Sequence, residues 1–229
     1  MKTFLGTLLI VASTVSATII TPKVPSLKAP ACSVGKGTIQ YNKSVPNKTD
    51  FPKTQVDVCY NDKSIHLTFT AFDEINFYFN ETQTTNDAIW QYEVMEAFIY
   101  HGTNDPKTYL EFEVSPNNVT FQAWIYNPSK VRAAGSPMDT SFLTQPLVDG
   151  LTADTTLDKT AKTWTSSATI PLGLFNVDDG QAKGTQWRMN FFRTVVSPEI
   201  FPDQILGAWN PTNESNFHMT PFFGKVFFV

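Results

Sequence analysis

Apolar and polar residues alternate in short runs along most of the chain. The clearest run is Ser64 to Phe72, where Ile65, Leu67, Phe69 and Ala71 point one way and Ser64, His66, Thr68 and Thr70 the other. A period of two marks a half-buried strand. Thr54 to Tyr60 precedes it across Asn61-Asp62, with Val56 and Val58 inward, and the two runs predict a hairpin. Further strands are expected at Tyr92 to Tyr100, Thr108 to Val114, Val119 to Tyr126, Lys162 to Ile170, Thr185 to Val195 and Phe222 to Val229. On Thr108 to Val114, Leu110, Phe112 and Val114 read as inward, and Glu111 and Glu113 as outward. On Val119 to Tyr126, Trp124 lies opposite the inward set and is expected as an exposed aromatic. Pro171 to Phe175 predicts one helical turn begun by proline. Asn127 to Asp158 is long, polar and irregular, with a weak strand near Leu147 to Thr152. No long amphipathic helix, internal repeat or linker interrupts the pattern. The expected fold is all-β: an antiparallel β-sandwich, jelly-roll or immunoglobulin-like, with a few short helical turns.

The stretch Ile89 to Tyr100 combines pattern with chemistry. A polar loop, Glu81 to Asp87, delivers Trp90 to the start of a strand on which Val94, Glu96 and Phe98 share one face. Tryptophan can stack on a pyranose ring, and a carboxylate six residues on can accept hydroxyl hydrogen bonds. The plainer reading is that Trp90 caps the core and Glu96 is solvated.

The N-terminus sets the address. Lys2, the apolar Phe4 to Val15 and the small residues Val15-Ser16-Ala17 form a secretory signal peptide over residues 1–17, too short to span a membrane. Residues 18–31, with Pro22, Pro25 and Pro30, read as an extended leader that carries little of the core. Residues 32–229 are then a single domain. Losing Lys2 makes the formal charge of −4 one unit more negative. That argues against nucleic acid and anionic membrane as partners. Cys32 and Cys59 are the only cysteines, and a secreted chain pairs them by default. Acceptor sequons begin at Asn42, Asn47, Asn80, Asn118 and Asn213, as expected of a eukaryotic secretory glycoprotein.

Catalytic signatures are weak. No Gly-x-Ser-x-Gly, His-Glu-x-x-His or P-loop occurs. Glu93 with Glu96, or Glu111 with Glu113, could supply the carboxylate pair of a hydrolase acting on O-glycosyl bonds, which needs separations of roughly 5–5.5 or 6.5–9.5 Å. No catalytic residue is assigned, and no cofactor is expected. His66, His101 and His218 lack metal-ligand spacing for zinc. Asp73, Glu74 and Asp87 are the acids a structural calcium would draw on, against the plainer expectation that loop acids are solvated.

Six patterns fall in order along the chain: Ile89-Trp90 with Glu96 to Ile99, Tyr109 to Pro116, Trp164 with Ile170-Pro171-Leu172, Trp187 to Arg193, Trp209 to Thr212, and Phe217-His218 with Phe223-Gly224. Together they resemble a family 9 carbohydrate-binding module, in a subgroup carrying Asn190-Phe-Phe-Arg193 and Phe217-His218. The resemblance runs from about Val34 to Val229. It implies a jelly-roll-like sandwich that clamps sugar between two aromatics, with links to carbohydrate catabolism. Trp90 matches one clamp position and Glu96 the ligand-binding carboxylate; the second clamp falls on Phe217, where the family has tryptophan.

Each remaining candidate has two readings. Arg193 donates to sugar hydroxyls, or pairs with Glu96 or Glu111 to brace the sheet. Asn190 donates to ligand or is structural. Trp209 lines the pocket or seals the core. Trp164 and Trp187 read as core, and His218 as a hydrogen-bonded structural histidine. The expected partner is carbohydrate, either wall polysaccharide or soluble oligosaccharide. Rival readings are an extracellular haem-binding redox sandwich using Met95 and His218, a hydrolase, and a structural wall protein.

Overall fold

The computed structural model describes residues 23–229, so the expected signal peptide, residues 1–17, and the first residues of the expected leader lie outside it. Thirteen strands form two sheets. They are β1 (Ser26–Ala29), β2 (Gly37–Lys43), β3 (Asp50–Tyr60), β4 (Ser64–Ala71), β5 (Val94–His101), β6 (Thr108–Val114), β7 (Thr120–Tyr126), β8 (Asp139–Phe142), β9 (Thr152–Asp158), β10 (Thr163–Pro171), β11 (Gln186–Val195), β12 (Ile205–Ala208) and β13 (Gly224–Phe228). One sheet has eight strands in the order β1-β13-β11-β5-β6-β7-β8, with β12 also paired to β11; the other runs β2-β3-β4-β10-β9. All pairings are antiparallel except β1 with β13. The expected β-sandwich is the observed one.

The sheets pack through the faces that the alternation assigned on β3, β4 and β6. Val56, Val58, Ile65, Leu67 and Phe69 meet Met95, Ala97, Ile99, Leu110, Phe112 and Phe191 in one apolar core. Trp164 and Trp187 lie fully within it. Each satisfies its indole N–H locally, Trp164 on Ser166 Oγ at 2.8 Å and Trp187 on Thr185 Oγ1 at 2.8 Å, as a buried donor requires.

The eight-stranded sheet departs from the simple inside–outside rule. Its second face is also buried. Val94, Phe98, Tyr109, Phe121, Ala123, Ile125 and Phe192 form a separate apolar cluster there, closed over by Val45, Ile89, Ala208 and Phe223. The expected orientation of β7 is therefore reversed. Phe121, Ala123 and Ile125 face this second cluster, and Trp124 packs toward the inter-sheet core against Phe175 at 5.5 Å between centroids. Glu111 and Glu113 point outward as expected, into the covered space rather than into water.

Several unpatterned stretches prove ordered. Ser26–Ala29 of the leader is an edge strand, with Ala29 buried and Leu27 packed on the core. Asn127 to Asp158 contains β8 and β9, while Leu147–Gly150, where a weak strand was expected, is a turn. The turn at Leu172–Phe175 is a short helix following Pro171. Cys32 and Cys59 form the expected disulfide, which ties the N-terminal segment to β3. Asn42, Asn47, Asn118 and Asn213 are exposed and Asn80 is half-buried.

Arg193 lies on the inner face of β11, fully buried. Its Nη2 donates to Glu74 Oε2 at 2.6 Å and its Nη1 to Phe72 O at 3.2 Å. This corrects both expectations for the residue. It does not reach the outer face, and its partner is Glu74 rather than Glu96 or Glu111. Glu74 is thereby committed, and its second oxygen accepts from the Asn76 and Phe77 amides at 2.6 and 2.9 Å. Glu74 forms no metal-binding cluster with Asp73 and Asp87.

One guanidinium serves two neighbouring carboxylates here. Glu93 accepts from the Tyr78 amide at 2.8 Å. Burial, and then the Glu74 charge, push its carboxyl from 4.5 up to about 8, against the pull of Arg193. Between those values the folded chain holds a proton that the unfolded chain has released, so stability falls as pH rises through that window. Glu93→Gln keeps an acceptor for Tyr78 and removes the ionisation. The variant should match the parent near pH 4.5 and exceed it increasingly toward pH 8, by at most about 1.4 kcal/mol per pH unit. Urea midpoints measured across that range check it; parallel curves would refute the assignment.

Candidate functional site

A cavity of about 280 Å³ opens on the outer face of the eight-stranded sheet. Its floor comes from adjacent strands. Glu96 on β5 and Glu113 on β6 are cross-strand partners, and Glu111 lies two residues along the same face of β6. Thr194 of β11 and Ile125 of β7 extend the floor, and Trp90, Phe121 and Phe217 supply aromatic walls. Trp90 sits in a one-turn helix, Ile89–Gln91, just before β5. It is 43% exposed, with its ring edge-on to Phe121 at 5.3 Å. Phe217 stacks on Phe192 at 4.1 Å, so the second apolar cluster buttresses the wall.

The roof is irregular chain, held by polar side chains rather than by sheet ladders. Asn127 Nδ2 donates to His218 O at 2.7 Å, and Asn216 Nδ2 to Val131 O at 2.9 Å. These bonds tie the two roof segments together. Gln204 Nε2 donates to Trp90 O at 2.6 Å, which fixes the turn that presents the indole. From β11, Arg188 pins the roof's far end: its Nε and Nη2 donate to Phe223 O at 2.9 and 2.7 Å, and its Nη1 to Asp105 Oδ1 at 2.6 Å. Asn190 brackets Asn210, donating to its carbonyl and accepting from its amide, each at 3.1 Å.

The floor is strongly acidic for a buried surface. Burial pushes the Glu111 carboxyl up to about 8, opposed by a hydrogen bond from Glu113 and by the Arg132 charge. Burial also holds Glu96 well above the usual carboxylate range, with Glu111 repelling it further. Glu113 is raised by burial, then by Glu96 and Glu111. Three carboxylates this close cannot all ionise unaided, and their protons belong to the group rather than to one residue. His218 lies beside them. Burial and Arg132 push its imidazole down to about 3, so the ring is neutral. Its Nδ1 bonds the Tyr109 hydroxyl at 2.7 Å, it stacks on Phe98, and its Nε2 is 3.9 Å from Glu111 Oε1. The cavity thus offers aromatic faces beside carboxyl groups able to donate as well as accept.

Of the residues singled out in the sequence, Trp90, Glu96 and Phe217 meet in this cavity. Arg193, Asn190 and Trp209 do not line it. Arg193 lies between the sheets, Asn190 is buried behind the roof, and Trp209 packs against Phe191 and the inter-sheet core. His218 has the structural bonding expected and also lines the cavity. Met95 faces the inter-sheet core while His218 stacks on Phe98 across the sheet, so the two cannot share one iron. Glu93 and Glu96 sit apart, with Glu93 beside Glu74. Glu111 and Glu113, expected at the solvent, and Arg132, Gln204 and Asn216 join the site. A signal for the first two was present: Phe98 on β5 and Phe121 and Ile125 on β7 flank them on the same face, and aromatics on both neighbouring strands mark a covered face.

No family model matches the chain. An extracellular protein of the fungus Arthroderma benhamiae is 54% identical over 205 residues, which are 90% of this chain and 91% of that protein. The chain belongs to the family of that extracellular protein. Its fold is shared with solved carbohydrate-binding modules. A candidate carbohydrate-binding protein of Bacteroides uniformis superposes with a TM-score of 0.64 at 15% identity, over 90% of this chain and all (100%) of that one. A family 9 module of Caldicellulosiruptor kristjanssonii in complex with cellotriose gives 0.54 at 12% identity, over 89% and 93% of the two chains. A family 9 module of that organism in complex with glucose gives 0.55 at 14%, over 83% and 84%. The extracellular-protein family therefore has the family 9 module fold, as the sequence motifs implied.

The roof's anchoring can be separated from the cavity itself. Asn190→Ala leaves the Asn210 amide and carbonyl without partners and should destabilise the fold by about 2 kcal/mol, with no lining side chain altered. Denaturant midpoints read the loss; an unchanged midpoint would show that Asn190 does not anchor the roof.

Proposed function

We propose that the protein is a secreted, non-catalytic carbohydrate-binding module that takes up a sugar in the cavity floored by Glu96, Glu111 and Glu113. Trp90 and Phe217 provide apolar faces for a pyranose ring, and the carboxyl groups exchange hydrogen bonds with its hydroxyls. One observation carries the reading: aromatic walls and buried, hydrogen-bond-competent carboxyls converge on one cavity, in the fold of modules solved with cellotriose and glucose. The extracellular relative supports export by the signal peptide at residues 1–17, and glycans at Asn42, Asn47, Asn80, Asn118 and Asn213 fit that route. A cavity just under the roughly 300–1,000 Å³ of small-molecule sites suits a chain end or short oligosaccharide better than the middle of a long polymer. Asn190, Arg193 and Trp209 act in this reading by holding the scaffold.

A hydrolase is the second reading, favoured by one observation. A buried glutamic acid with its carboxyl near 8, as Glu111 has, is in the protonation state of a general acid. Release of reducing sugar from a polysaccharide panel would establish it.

Binding to soluble oligosaccharides and insoluble wall polysaccharides, each with its reducing end intact and chemically reduced, tests the main reading. Trp90→Ala should weaken the best ligand at least tenfold with the melting temperature kept. Unaltered affinity in that variant would move the site elsewhere.

A further inference from the structure

The three floor carboxylates have no cationic side chain bonded to them. Among the described residues, no lysine or arginine forms an ion pair or hydrogen bond with Glu96, Glu111 or Glu113; the basic group in contact range is the neutral His218 ring, 3.9 Å from Glu111. Arg132, although it lines the cavity, is exposed and bonds none of them. The second observation is a single atom. Glu113 Oε2 is buried, in a residue 1% exposed, and no amide, hydroxyl or cationic group of the chain bonds it. The buried carboxylates between the sheets differ: Glu74 and Glu93 both accept from backbone amides. A buried carboxylate oxygen at the floor of a polar cavity, met by nothing but its fellow acids, is positioned for something the chain does not itself supply.

Geometry narrows what that is. One oxygen from each of the three glutamates lies within 4.8 Å of the others. Calcium accepts such a set at about 2.3–2.6 Å in irregular geometry, whereas magnesium needs about 2.0–2.1 Å and a near-ideal octahedron, which three side chains fixed on two adjacent strands do not supply. An all-carboxylate set is hard, and disfavours copper and zinc relative to calcium. Strand register fixes the arrangement. Glu96 and Glu113 are directly opposed across β5 and β6, and Glu111 is the next same-face residue. All three ligand atoms therefore approach from the sheet side, and the cavity side of the ion stays open.

We propose that Glu96, Glu111 and Glu113 bind one calcium ion at the cavity floor, and that the ion's open coordination positions dock a pair of vicinal sugar hydroxyls. The second half rests on the carbohydrate reading; the first does not. Calcium takes six to eight oxygens. Three carboxylates, mono- or bidentate, leave positions for water, which two neighbouring hydroxyls of a pyranose can replace while Trp90 and Phe217 hold the ring. Selectivity would then follow hydroxyl stereochemistry, favouring sugars whose adjacent hydroxyls lie close enough to chelate.

The test uses the mature protein stripped with EDTA and exchanged into chelator-free buffer. Calorimetric titration with calcium chloride should give one site, with a dissociation constant on the order of 10⁻⁴ M as in extracellular calcium modules, and magnesium chloride should bind at least tenfold more weakly. Glu113→Gln should abolish uptake, while Glu93→Gln, outside the cavity, should bind calcium as the parent does; near-ultraviolet circular dichroism confirms that both are folded. The glycan panel is then run with calcium and with EDTA. Calcium uptake together with glycan affinity at least tenfold lower in EDTA is the expected result. Calcium uptake with no glycan binding keeps the ion site and removes both its sugar-docking role and the carbohydrate reading. Calcium uptake with glycan affinity unchanged by EDTA overturns the docking half. No calcium uptake, with glycan binding intact, overturns the proposal and leaves the carbohydrate reading standing.

Discussion

The eight-stranded sheet has two apolar faces to cover, and the rest of the structure follows from that constraint. One face is met in the usual way, by a second sheet. The other receives Phe98, Tyr109, Phe121 and Phe192 in a cluster of its own, and among the described residues no third sheet or helix layer lies over it. Irregular chain has to do the work. Loops are poor covers because their backbone groups need partners that water can no longer supply. The observed solution is to point polar side chains off the sheet. Arg188, Asn190, Tyr109 and Asn127 each anchor roof backbone or a roof side chain. The cavity is the part of that covered face which the roof leaves unfilled.

The two buried acidic regions contrast in how they are balanced. Between the sheets, Glu74 has Arg193, and Glu93 is left as the neutral member of the group. Breaking such a buried pair from one side costs far more than the pair contributes, because the survivor is stranded in low dielectric. Arg193 therefore serves the scaffold, bridging β11 to the segments at Lys53 and Phe72 of the opposing sheet. On the cavity side, no guanidinium bonds the acids, and three of them share the problem. A site that has to exchange hydrogen bonds with an incoming ligand gains from that openness, at a cost in the stability of the empty state.

The strands were legible because period-two alternation is a local signal. β4, β6 and β10 end within about one residue of where the pattern put them, and the Cys32–Cys59 bridge followed from secretion and count alone. Trp90 and Glu96 were legible from a loop–strand junction and its chemistry, Phe217 only through motif resemblance, and the three do share a cavity. What alternation cannot report is what lies over each face. With both faces of a sheet buried, "inward" and "outward" lose their chemical meaning. That is why Trp124 was placed at the surface, and why Glu111 and Glu113 looked like solvated acids. Arg193 misled for a related reason: its neighbours Phe191 and Phe192 are both fully buried, on opposite faces, so apolar context did not fix its side. β1, β8 and β12 are each four residues long, too short for a period to register, and the roof has no period at all.

The strand order β1-β13-β11 has a consequence for how the molecule is assembled. The earliest strand in the sheet is joined to its body only through the latest, since β13 pairs with β1 on one side and β11 on the other. Tyr60 then closes over this seam, its hydroxyl donating to the Val229 carbonyl at 2.8 Å. During synthesis, everything from β2 to β12 leaves the ribosome before that edge can be completed. Until then the first part of β11, Gln186 to Met189, presents an unpaired rim, the kind of surface on which chains misjoin. The contacts that finish the fold are also those of greatest sequence separation, which makes closure slow. Production of this protein is therefore expected to depend less on the sandwich's final stability than on how well that open rim is shielded while the last strand is being made.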